Sequence, residues 1–300
     1  MNQHNVLITG ASGFIGSALY DIIKTENKVV GLSRSKTADL QLDLSINQPV
    51  LPDVDFVIHT AGLAHLMFDD QVAMHQNNVT ATNNLLNSLN PSCLKGFMFC
   101  STVAVYGKTY GVDIDESVVP FPSDSYGESK YKAEELVTNW CSRHAVPYLI
   151  LRLPLIVDVN APGNIGRMKD SLRKGRFFLV KGNQSKRSMV HLNDLVGLIQ
   201  RQVKYGINKS GVYNLSDGNG IDFNDFVLAV CSSEGFRKPI MLPFWIAKIL
   251  AIAGSILGGK LFSLSVLGKM TKTLTFSSIK AKNDLQWSPR SVLNTMQVIR

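Results

Sequence analysis

Near the start of the chain, a short apolar run leads into three glycines that are spaced three residues apart. Val6–Ile8 is long enough for a buried parallel strand, and helical spacing of apolar residues begins at Phe14. Strand, glycine turn and helix in this order indicate a dinucleotide site. Gly10 would permit the tight turn, Gly13 the approach of backbone N–H groups to a pyrophosphate, and Gly16 close helix–strand packing. The alternative is that the glycines only separate two ordinary elements.

The chain alternates between strands and helices as far as residue 153. After the first strand and helix, strands are predicted at Lys28–Ser33, Asp55–His59, Lys95–Ser101 and Pro147–Leu153, with a short third strand or its exit at Leu40–Leu44. Helices are predicted at Gln71–Asn90 and Tyr126–His144. Such alternation implies right-handed crossovers and a parallel sheet. We therefore expect an α/β fold in which residues 1–160 form a Rossmann-type, doubly wound dinucleotide-binding domain. Ligands then bind at the carboxyl ends of the strands.

After Pro154 the alternation fades, and residues 161–300 are expected to form a smaller substrate-binding cap, partly interleaved with the sheet. Helices are predicted from Asn193 and from Asp222, with a strand at Val212–Leu215 between them. Met241–Leu267 is strongly apolar but is interrupted by a proline, a lysine and several glycines. We expect a helical hairpin packed on the cap here; peripheral contact with a membrane stays open, and a spanning helix is disfavoured.

Charge is distributed unevenly along the chain. Residues 1–150 hold 9 Lys and Arg against 15 Asp and Glu, whereas residues 151–300 hold 22 against 8. A basic half beside a nucleotide-binding half suggests an anionic second ligand. Since no helix-turn-helix or RNA-binding signature is present, nucleic acid is disfavoured as that ligand.

Cysteine and histidine usage bears on location and on metals. The four cysteines have no paired spacing, which favours free thiols in a reducing compartment. The stretch after Met1 lacks the charged and apolar pattern of a secretory leader, so a cytoplasmic location is expected. No ligand-like spacing of cysteines and histidines was found, and no metal site is expected.

Tyr126 and Lys130 lie four residues apart on a predicted helix and therefore share one face. Tyrosine is a poor base at its usual pKa of about 10, but a nearby ammonium favours the phenolate and lowers that pKa. Thr102, at the end of a predicted strand, could hold the same substrate oxygen. Together these groups could move a proton on or off a sugar or alcohol oxygen while a nicotinamide carries the hydride. Taken alone, Tyr and Lys at this spacing more often form a solvated face.

Six segments in order resemble the motifs of the extended short-chain dehydrogenases/reductases, in the group of nucleotide-sugar epimerases, dehydratases and 4-keto-reductases. The segments are Thr9–Gly16, Asp43-Leu44, His59–Gly62, Asn78–Thr82, Ser101–Gly107 and Tyr126–Lys130. Arg187–Leu195 is similar to a further element of that family, in which the arginine holds a diphosphate.

The resemblance implies a nicotinamide enzyme acting on a nucleotide-diphosphate sugar, with UDP-sugars favoured, and a homodimer built on the helices Gln71–Asn90 and Tyr126–His144. The implied catalytic residues are Tyr126, Lys130 and Thr102. The expected cofactor-binding residues are Gly10, Gly13, Phe14, Ile15, Gly16, Arg34, Asp43, Leu44, Ala61, Gly62, Asn78, Tyr126 and Lys130; among them, Arg34 is indicated by the end of the second predicted strand and not by the resemblance. The implied substrate-binding residues are Thr102, Asn164 and Arg187. After the sixth predicted strand, Leu155 and Asp158 replace the asparagine and glycine of the family pattern. Near the C-terminus no second arginine matches, and Lys272 or Lys280 could serve instead.

The end of the second predicted strand bears on the choice of cofactor. An NAD site usually has a carboxylate here, but this chain has Ser33, Arg34 and Lys36, which would attract a 2′-phosphate. We therefore favour NADP(H); NAD stays possible, since Arg34 could stack on adenine instead. Exchangeable NADPH fits a net 4-keto-sugar reductase, which the resemblance links to bacterial surface-polysaccharide or lipopolysaccharide sugars. The alternatives are a UDP-hexose 4-epimerase with tightly bound NAD and a dehydrogenase of an apolar alcohol.

Overall fold

Parallel strands with helices between them organise the structure, a computed structural model that describes residues 3–64, 70–218, 220–256 and 262–297. The strands are β1 (Asn5–Thr9), β2 (Lys28–Ser33), β3 (Leu40–Gln41), β4 (Phe56–His59), β5 (Gly96–Thr102), β6 (Gly111–Ile114), β7 (Tyr148–Leu153), β8 (Leu155–Val157), β9 (Phe178–Val180), β10 (Lys186–Arg187), β11 (Met189–His191), β12 (Gly211–Asn214), β13 (Ile221–Asp222), β14 (Ile240–Leu242) and β15 (Leu274–Phe276). The helices are α1 (Phe14–Ile23), α2 (Gln71–Met74), α3 (Ala81–Asn87), α4 (Ser125–Arg143), α5 (Gly163–Arg173), α6 (Leu192–Tyr205), α7 (Phe223–Glu234), α8 (Phe244–Ile256), α9 (Leu264–Thr271), α10 (Ile279–Leu285) and α11 (Val292–Gln297).

The central sheet has seven strands in the order β12-β7-β5-β4-β1-β2-β3, and every pairing in it is parallel. The chain winds outward from β1 in both directions, so the strand order reverses between β1 and β4. This is the position at which open α/β sheets bind ligands. The register pairs Thr9 of β1 with His59 of β4, and His59 with Phe99 of β5. The expected Rossmann-type α/β fold is confirmed.

Apolar side chains cover both faces of this sheet because successive strand residues point to opposite sides. Val6 and Ile8 of β1 belong to one buried cluster, with residues of α1 and α6. Leu7, between them, belongs to the cluster on the other face, with residues of α3 and α4. The sheet is therefore a buried layer between helices.

The second half of the chain contributes directly to this layer. The strand predicted at Val212–Leu215 is β12, which pairs with β7 at one end of the sheet. Helix α6 packs beside α1, and Leu195, Ile199 and Val203 enter the cluster that contains Val6. A third apolar cluster joins α5 and α7, away from the central strands.

Two predicted helical segments differ in detail. The single helix expected over Gln71–Asn90 is α2, a π-helical turn at His75–Thr80, and α3. Within Met241–Leu267 the chain first adds the end of β14, then forms α8 and α9, which pack on each other. The turn of that hairpin, with Gly258 and Gly259, lies outside the described residues. Among the helices that are described, none is long and apolar enough to cross a membrane.

Candidate active site

The glycine turn between β1 and α1 has the geometry that an anion site requires. Gly10 has a φ of +69°, and its carbonyl accepts a hydrogen bond from Gly13 N at 2.8 Å. A Cβ on Gly10 would lie 2.7 Å from the backbone nitrogen of Ala61, so only glycine fits. Helix α1 begins at Phe14 with no side-chain cap and no acidic residue in its first turn. Its first N–H groups therefore remain available to a pyrophosphate.

His59 joins the elements that meet below this turn. Its Nδ1 lies 2.6 Å from Thr9 Oγ1 and its Nε2 lies 2.9 Å from Thr82 Oγ1. Because Thr82 donates its own proton to the Asn78 carbonyl, at 2.6 Å, the imidazole donates from Nε2 and accepts at Nδ1. Burial, with the charge of Lys130, lowers the pKa of His59 to about 3. The ring is therefore a neutral link between β1, β4 and α3.

Asn78, in the π-helical turn, fixes the loop that follows β4. Its Oδ1 accepts from Leu63 N at 2.7 Å, and its Nδ2 donates to Leu63 O at 3.0 Å and to Ser129 Oγ at 2.8 Å. A Cβ on Gly62 would lie 2.9 Å from Asn78 Oδ1. The sequence placed Asn78 among the cofactor-binding residues; the structure commits its amide to the backbone at Leu63 and to helix α4. It therefore positions the Ala61–Gly62 segment, which lies against Gly10.

Thr102 lies close enough to Tyr126 to lower the pKa of its hydroxyl. Thr102 is the last residue of β5, where its Oγ1 also accepts from Ala104 N at 3.2 Å. Tyr126 is the second residue of α4, whose start is fixed by Asp124 accepting from Gly127 N at 2.7 Å. The end of a buried strand and the first turn of a capped helix therefore hold the two hydroxyls together.

Lys130 lies one turn further along α4 and is buried. Its Nζ lies 4.0 Å from the centre of the Phe99 ring and 3.8 Å from where a Cβ on Gly62 would stand. The carboxylate nearest along the helix, Glu134, pairs with Arg152 instead. Burial lowers the pKa of Lys130 to about 8, against smaller opposing contributions from Cys100 and Glu134. An ammonium with no ion-pair partner in the described residues thus borders the Ala61–Gly62 segment.

The expected lowering of the phenol pKa by this ammonium is not found in the chain by itself. Burial raises the pKa of Tyr126 to about 12; the hydrogen bond with Thr102 opposes this shift and the charge of Asp124 adds to it. Burial disfavours both the phenolate and the ammonium, so it raises one pKa and lowers the other. Tyr126 is accordingly a neutral hydroxyl, the form that donates a proton.

Sequence reasoning missed a buried ion pair behind Thr102. Ser101 donates a hydrogen bond to Glu134, and Arg152 of β7 donates to both oxygens of that carboxylate, the shortest contact being 2.7 Å. Burial alone would lower the pKa of Arg152, yet Glu134 raises it further above its usual range. The spacing of Tyr126, Lys130 and Glu134 at intervals of four was the available signal, since it puts all three on one side of α4.

Arg34 and Asp43 lie together at the end of β2. Arg34 Nη1 lies 4.0 Å from Asp43 Oδ2 and donates to Asn77 Oδ1 at 3.3 Å, while most of its side chain is exposed. Burial alone would raise the pKa of Asp43, but hydrogen bonds from Ser45 and the charge of Arg34 hold it below its usual value. Leu44 is buried in the core cluster beside this group. The residues expected at the adenosine end of the cofactor therefore share one location.

The candidate substrate residues lie on other elements. Arg187 of β10 is buried, with a pKa lowered by burial, and donates to the carbonyl oxygen of Lys269 at the end of α9. Asn164, in the first turn of α5, is exposed and accepts from Arg167 Nη2 at 2.7 Å. Within the described part of the chain, no hydrogen bond or ion pair joins either residue to Tyr126, Thr102 or Lys130.

The two lysines considered in place of a second arginine differ in their surroundings. Lys280 donates to Val212 O at 2.9 Å at the edge of the sheet, over the ring of Tyr213. Lys272 Nζ lies 5.7 Å from the centre of the Tyr110 ring, at a shallow cavity of about 360 Å³ lined by residues between 107 and 114.

Comparisons with known proteins agree with these motifs. The sequence profile of the NAD dependent epimerase/dehydratase family matches residues 6–216. The chain is 26% identical over 291 residues to the N-acetyl-alpha-D-glucosaminyl-diphospho-ditrans,octacis-undecaprenol 4-epimerase of Escherichia coli O157:H7, covering 93% of the chain and 84% of that protein. It is also 26% identical over 313 residues to the UDP-glucose 4-epimerase of Vibrio cholerae, covering 96% of the chain and 92% of that protein.

The fold is shared with a solved structure of an enzyme that holds a nicotinamide cofactor. The structure of RMD from Pseudomonas aeruginosa complexed with NADPH superposes with a TM-score of 0.73. The match covers 99% of this chain and 98% of that one at 19% sequence identity. At that identity the likeness concerns the fold alone.

Proposed function

The chain belongs to the NAD dependent epimerase/dehydratase family, and its relatives are NAD(P)-dependent epimerases, dehydrogenases and reductases. From this premise we propose that it catalyses oxidation or reduction at C4 of a hexose carried on a diphosphate. The observation that carries this proposal is the meeting of Thr102, at the end of β5, with Tyr126 in the first turn of α4, one helical turn before the buried Lys130. These groups border the loop packed on the glycine turn.

A bound nicotinamide supplies the hydride in reduction and accepts it in oxidation. In the reducing direction, the neutral Tyr126 hydroxyl donates its proton to the C4 carbonyl oxygen, so that the carbon gains a hydride and the oxygen a proton. The Thr102 hydroxyl holds the same oxygen by a second hydrogen bond. Lys130 then stabilises the phenolate left on Tyr126, because a positive charge beside it lowers the cost of that charge.

The proposed cofactor is NADP(H), with NAD as the alternative. Support comes from the group at the end of β2, where Arg34 stands beside Asp43 and the buried Ser33 accepts a hydrogen bond from Ser35 N at 3.1 Å. The guanidinium is exposed, and at 4.0 Å its contact with the Asp43 carboxylate is long for an ion pair, so the side chain can turn toward a 2′-phosphate.

A 4-keto-sugar reductase is the favoured reaction, since NADPH that exchanges on each cycle suits net reduction. A 4-epimerase is the second candidate, and two relatives with that activity favour it. Purification without added cofactor followed by mass spectrometry separates the two. NADP(H) that washes out supports the reductase, whereas stoichiometric, tightly held NAD refutes it in favour of the epimerase.

The proposed ligand group is a sugar diphosphate. Arg187 is buried and pairs only with a carbonyl oxygen among the described residues, which leaves its charge available to a phosphate. UDP-sugars are favoured, as in the Vibrio cholerae relative; the Escherichia coli relative acts on a sugar joined to undecaprenol through a diphosphate. A role in bacterial surface-polysaccharide synthesis is part of this proposal. An apolar alcohol as substrate is the remaining alternative.

Thermal shift and turnover with UDP-, dTDP- and GDP-hexoses test this proposal. Stabilisation by at least one of them, with oxidation or reduction detected by nicotinamide absorbance, is expected. Tyr126→Phe should still bind cofactor and lose nearly all turnover. Absence of any shift with all three classes, or retained turnover in Tyr126→Phe, would contradict the proposal.

The same proposal covers the arrangement of the protein. Residues 1–160 would bind the dinucleotide, residues 161–300 would mainly bind substrate, and the enzyme would be a cytoplasmic homodimer with peripheral membrane contact. The exposed Val72 on α2 and the four free cysteines are consistent with a dimer face on this helix and with a reducing compartment. Sedimentation equilibrium tests the dimer, and a monomer at all concentrations would refute it.

A further inference from the structure

In helix α8 the small side chains face the rest of the fold and the large apolar ones face outward, the reverse of a helix that packs on a soluble core. Ala247 and Ala251 are fully buried against Val180 and Leu267, and a Cβ on Gly254 would collide with the carbonyl of Phe262. The large residues instead face outward; they are Phe244, Trp245, Ile249, Leu250, Ile252 and Ile256, with exposures from 41% to 79%. A helix that stabilises its own fold buries the large side chains. This outward face, called here the α8 surface, therefore serves something outside the fold.

Most residues of the α8 surface form one continuous arc. At 3.6 residues per turn, five of the six fall within less than half of the helix circumference, and Leu250 lies outside that arc. Lys248 lies on the same arc and is exposed. The preceding strand extends the apolar area, since Ile240 and Met241 of β14 are also exposed. Aromatic and aliphatic side chains with a lysine among them are typical of helices that lie in the interface of a bilayer.

The charge around the α8 surface has one sign. The segments 171–192 and 235–283 contain no aspartate or glutamate. The exposed basic residues in the segments next to α8 are Lys181, Arg237, Lys238, Lys269 and Lys272. Lys181 adjoins β14, with its N–H bonded to Leu242 O, and Lys269 lies on α9, which packs on α8. An anionic surface complements this arrangement, whereas a second copy presenting the same basic face would be repelled.

We propose that the α8 surface docks the protein on an anionic lipid bilayer, with α8 lying in the membrane plane. The helix has 13 residues and so is about 20 Å long, shorter than the roughly 30 Å of a bilayer core. Arg187 donates to the carbonyl of Lys269, so docking brings the proposed diphosphate-binding residue within one helix of the lipid. This proposal goes beyond the reaction at C4 and stands or falls separately from it.

Flotation of the full-length protein with vesicles tests the docking. Two vesicle types are compared, one of phosphatidylcholine alone and one of equal parts phosphatidylcholine and phosphatidylglycerol. The test variant is Trp245→Ser/Ile249→Ser, and the control is Tyr205→Ser/Val50→Ser, which removes an aromatic and an aliphatic side chain that are at least as exposed elsewhere. We expect the wild type and the control to float with anionic vesicles, and the test variant to bind at least about tenfold more weakly. Phosphatidylcholine alone should bind the wild type weakly.

Trp245 also provides a direct signal. The chain has three tryptophans, and Trp287 is buried while Trp140 is partly buried. Anionic vesicles should therefore shift the emission of the wild type to shorter wavelength and leave Trp245→Ser unshifted. No flotation of the wild type, or equal flotation of the test variant, would overturn the proposal. So would a loss of self-association in the test variant without change in vesicle binding, which would assign the surface to a second copy.

Discussion

Thr102 and Ser101 are neighbours in sequence, but their hydroxyls enter different environments because successive strand residues point to opposite faces. Thr102 meets Tyr126, and Ser101 donates to Glu134. We predict that Thr102→Val lowers kcat about 100-fold, because one hydrogen bond to the reacting oxygen is lost. Its melting temperature should stay close to that of the wild type.

Ser101→Ala is the matched control for this prediction. It removes a hydrogen bond to a buried carboxylate and should cost about 1–3 kcal/mol of unfolding free energy in urea titrations. Its kcat should fall far less than that of Thr102→Val. Equal kcat values for the two variants would contradict the assignment of Thr102 as the hydroxyl that contacts substrate.

Lys130 gives a pH dependence of stability whose sign follows from its burial. The folded-state pKa is about 8 and the unfolded value is 10.5, so the unfolded chain binds more protons between these two pH values. The penalty for burying the ammonium is complete below pH 8 and disappears as pH rises to 10.5. We predict that the unfolding free energy of the wild type rises relative to Lys130→Met by about 3 kcal/mol over that range. A difference that is constant with pH would refute the assignment.

The proposed preference for NADPH over NADH depends on Arg34. A charged hydrogen bond to a 2′-phosphate contributes about 1.5–3 kcal/mol, so Arg34→Ala should weaken NADPH binding by about 10- to 100-fold. NADH binding should change little, because NADH has no phosphate at that position. Fluorescence titration measures both constants, and Lys24→Ala, an exposed cation already paired with Asp21, serves as control. An equal loss for the two cofactors would mean that Arg34 contacts adenine instead.

Spacing predicted that Tyr126 and Lys130 share a helix face, and the resemblance to known motifs added Thr102, but the pKa directions were not accessible from either. They depend on how deeply each group is buried, and burial is a property of the packed fold. The same limit applies to Arg187, whose side chain is held by the carbonyl of Lys269, 82 residues later in the chain. A local motif carries no information on such a distant partner.

At the scale of elements, the π-helical turn at His75–Thr80 is the feature that periodicity could not reveal. The turn places Asn78 inward, where it bonds to Leu63 and Ser129. Asn78→Ala leaves the Leu63 N–H and C=O without these partners, so we predict at least about tenfold weaker cofactor binding and a lower melting temperature. Hydrogen exchange at Leu63 should become faster. Gln76→Ala, an exposed change in the same turn, should alter neither property, and equal effects of both variants would contradict the role given to Asn78.

Apart from Leu40–Leu44, the strands predicted for the central sheet end within one residue of the observed strands. Lys28–Ser33 was predicted with its observed ends, because a buried strand is a continuous apolar run between turn residues. Residues 71–90 have apolar residues at helical spacing throughout. The π-helical turn changes the direction of the following side chains by only part of one helical turn, so the apolar spacing does not reveal it. The α8 surface could not be predicted for a different reason. An apolar helix suggests burial, and the sequence does not show which side of the helix the alanines will occupy.

At the scale of the whole molecule, the central sheet needs both halves of the chain. β12 covers the edge of β7, and Leu195, Ile199 and Val203 of α6 bury one face of β1. Trp287, near the C-terminus, is buried in the same cluster and donates to Ser216 O at 2.8 Å. The sequence predicted some interleaving of residues 161–300 with the sheet but not the pairing of β12 with β7, because a strand of four residues does not reveal its partner.

This interleaving predicts how the chain responds to division. A fragment of residues 1–160 lacks α6 and β12, so it exposes the apolar face around Val6 and Ile8 and leaves β7 as an open edge. We expect the fragment to show no cooperative thermal transition and to aggregate, whereas the full chain unfolds in one transition. Circular dichroism melts of both, with dye binding to exposed apolar surface, measure this. A cooperative melt of the fragment would show that the sheet is stable without the second half, and the packing of α6 on β1 would then contribute far less than its burial implies.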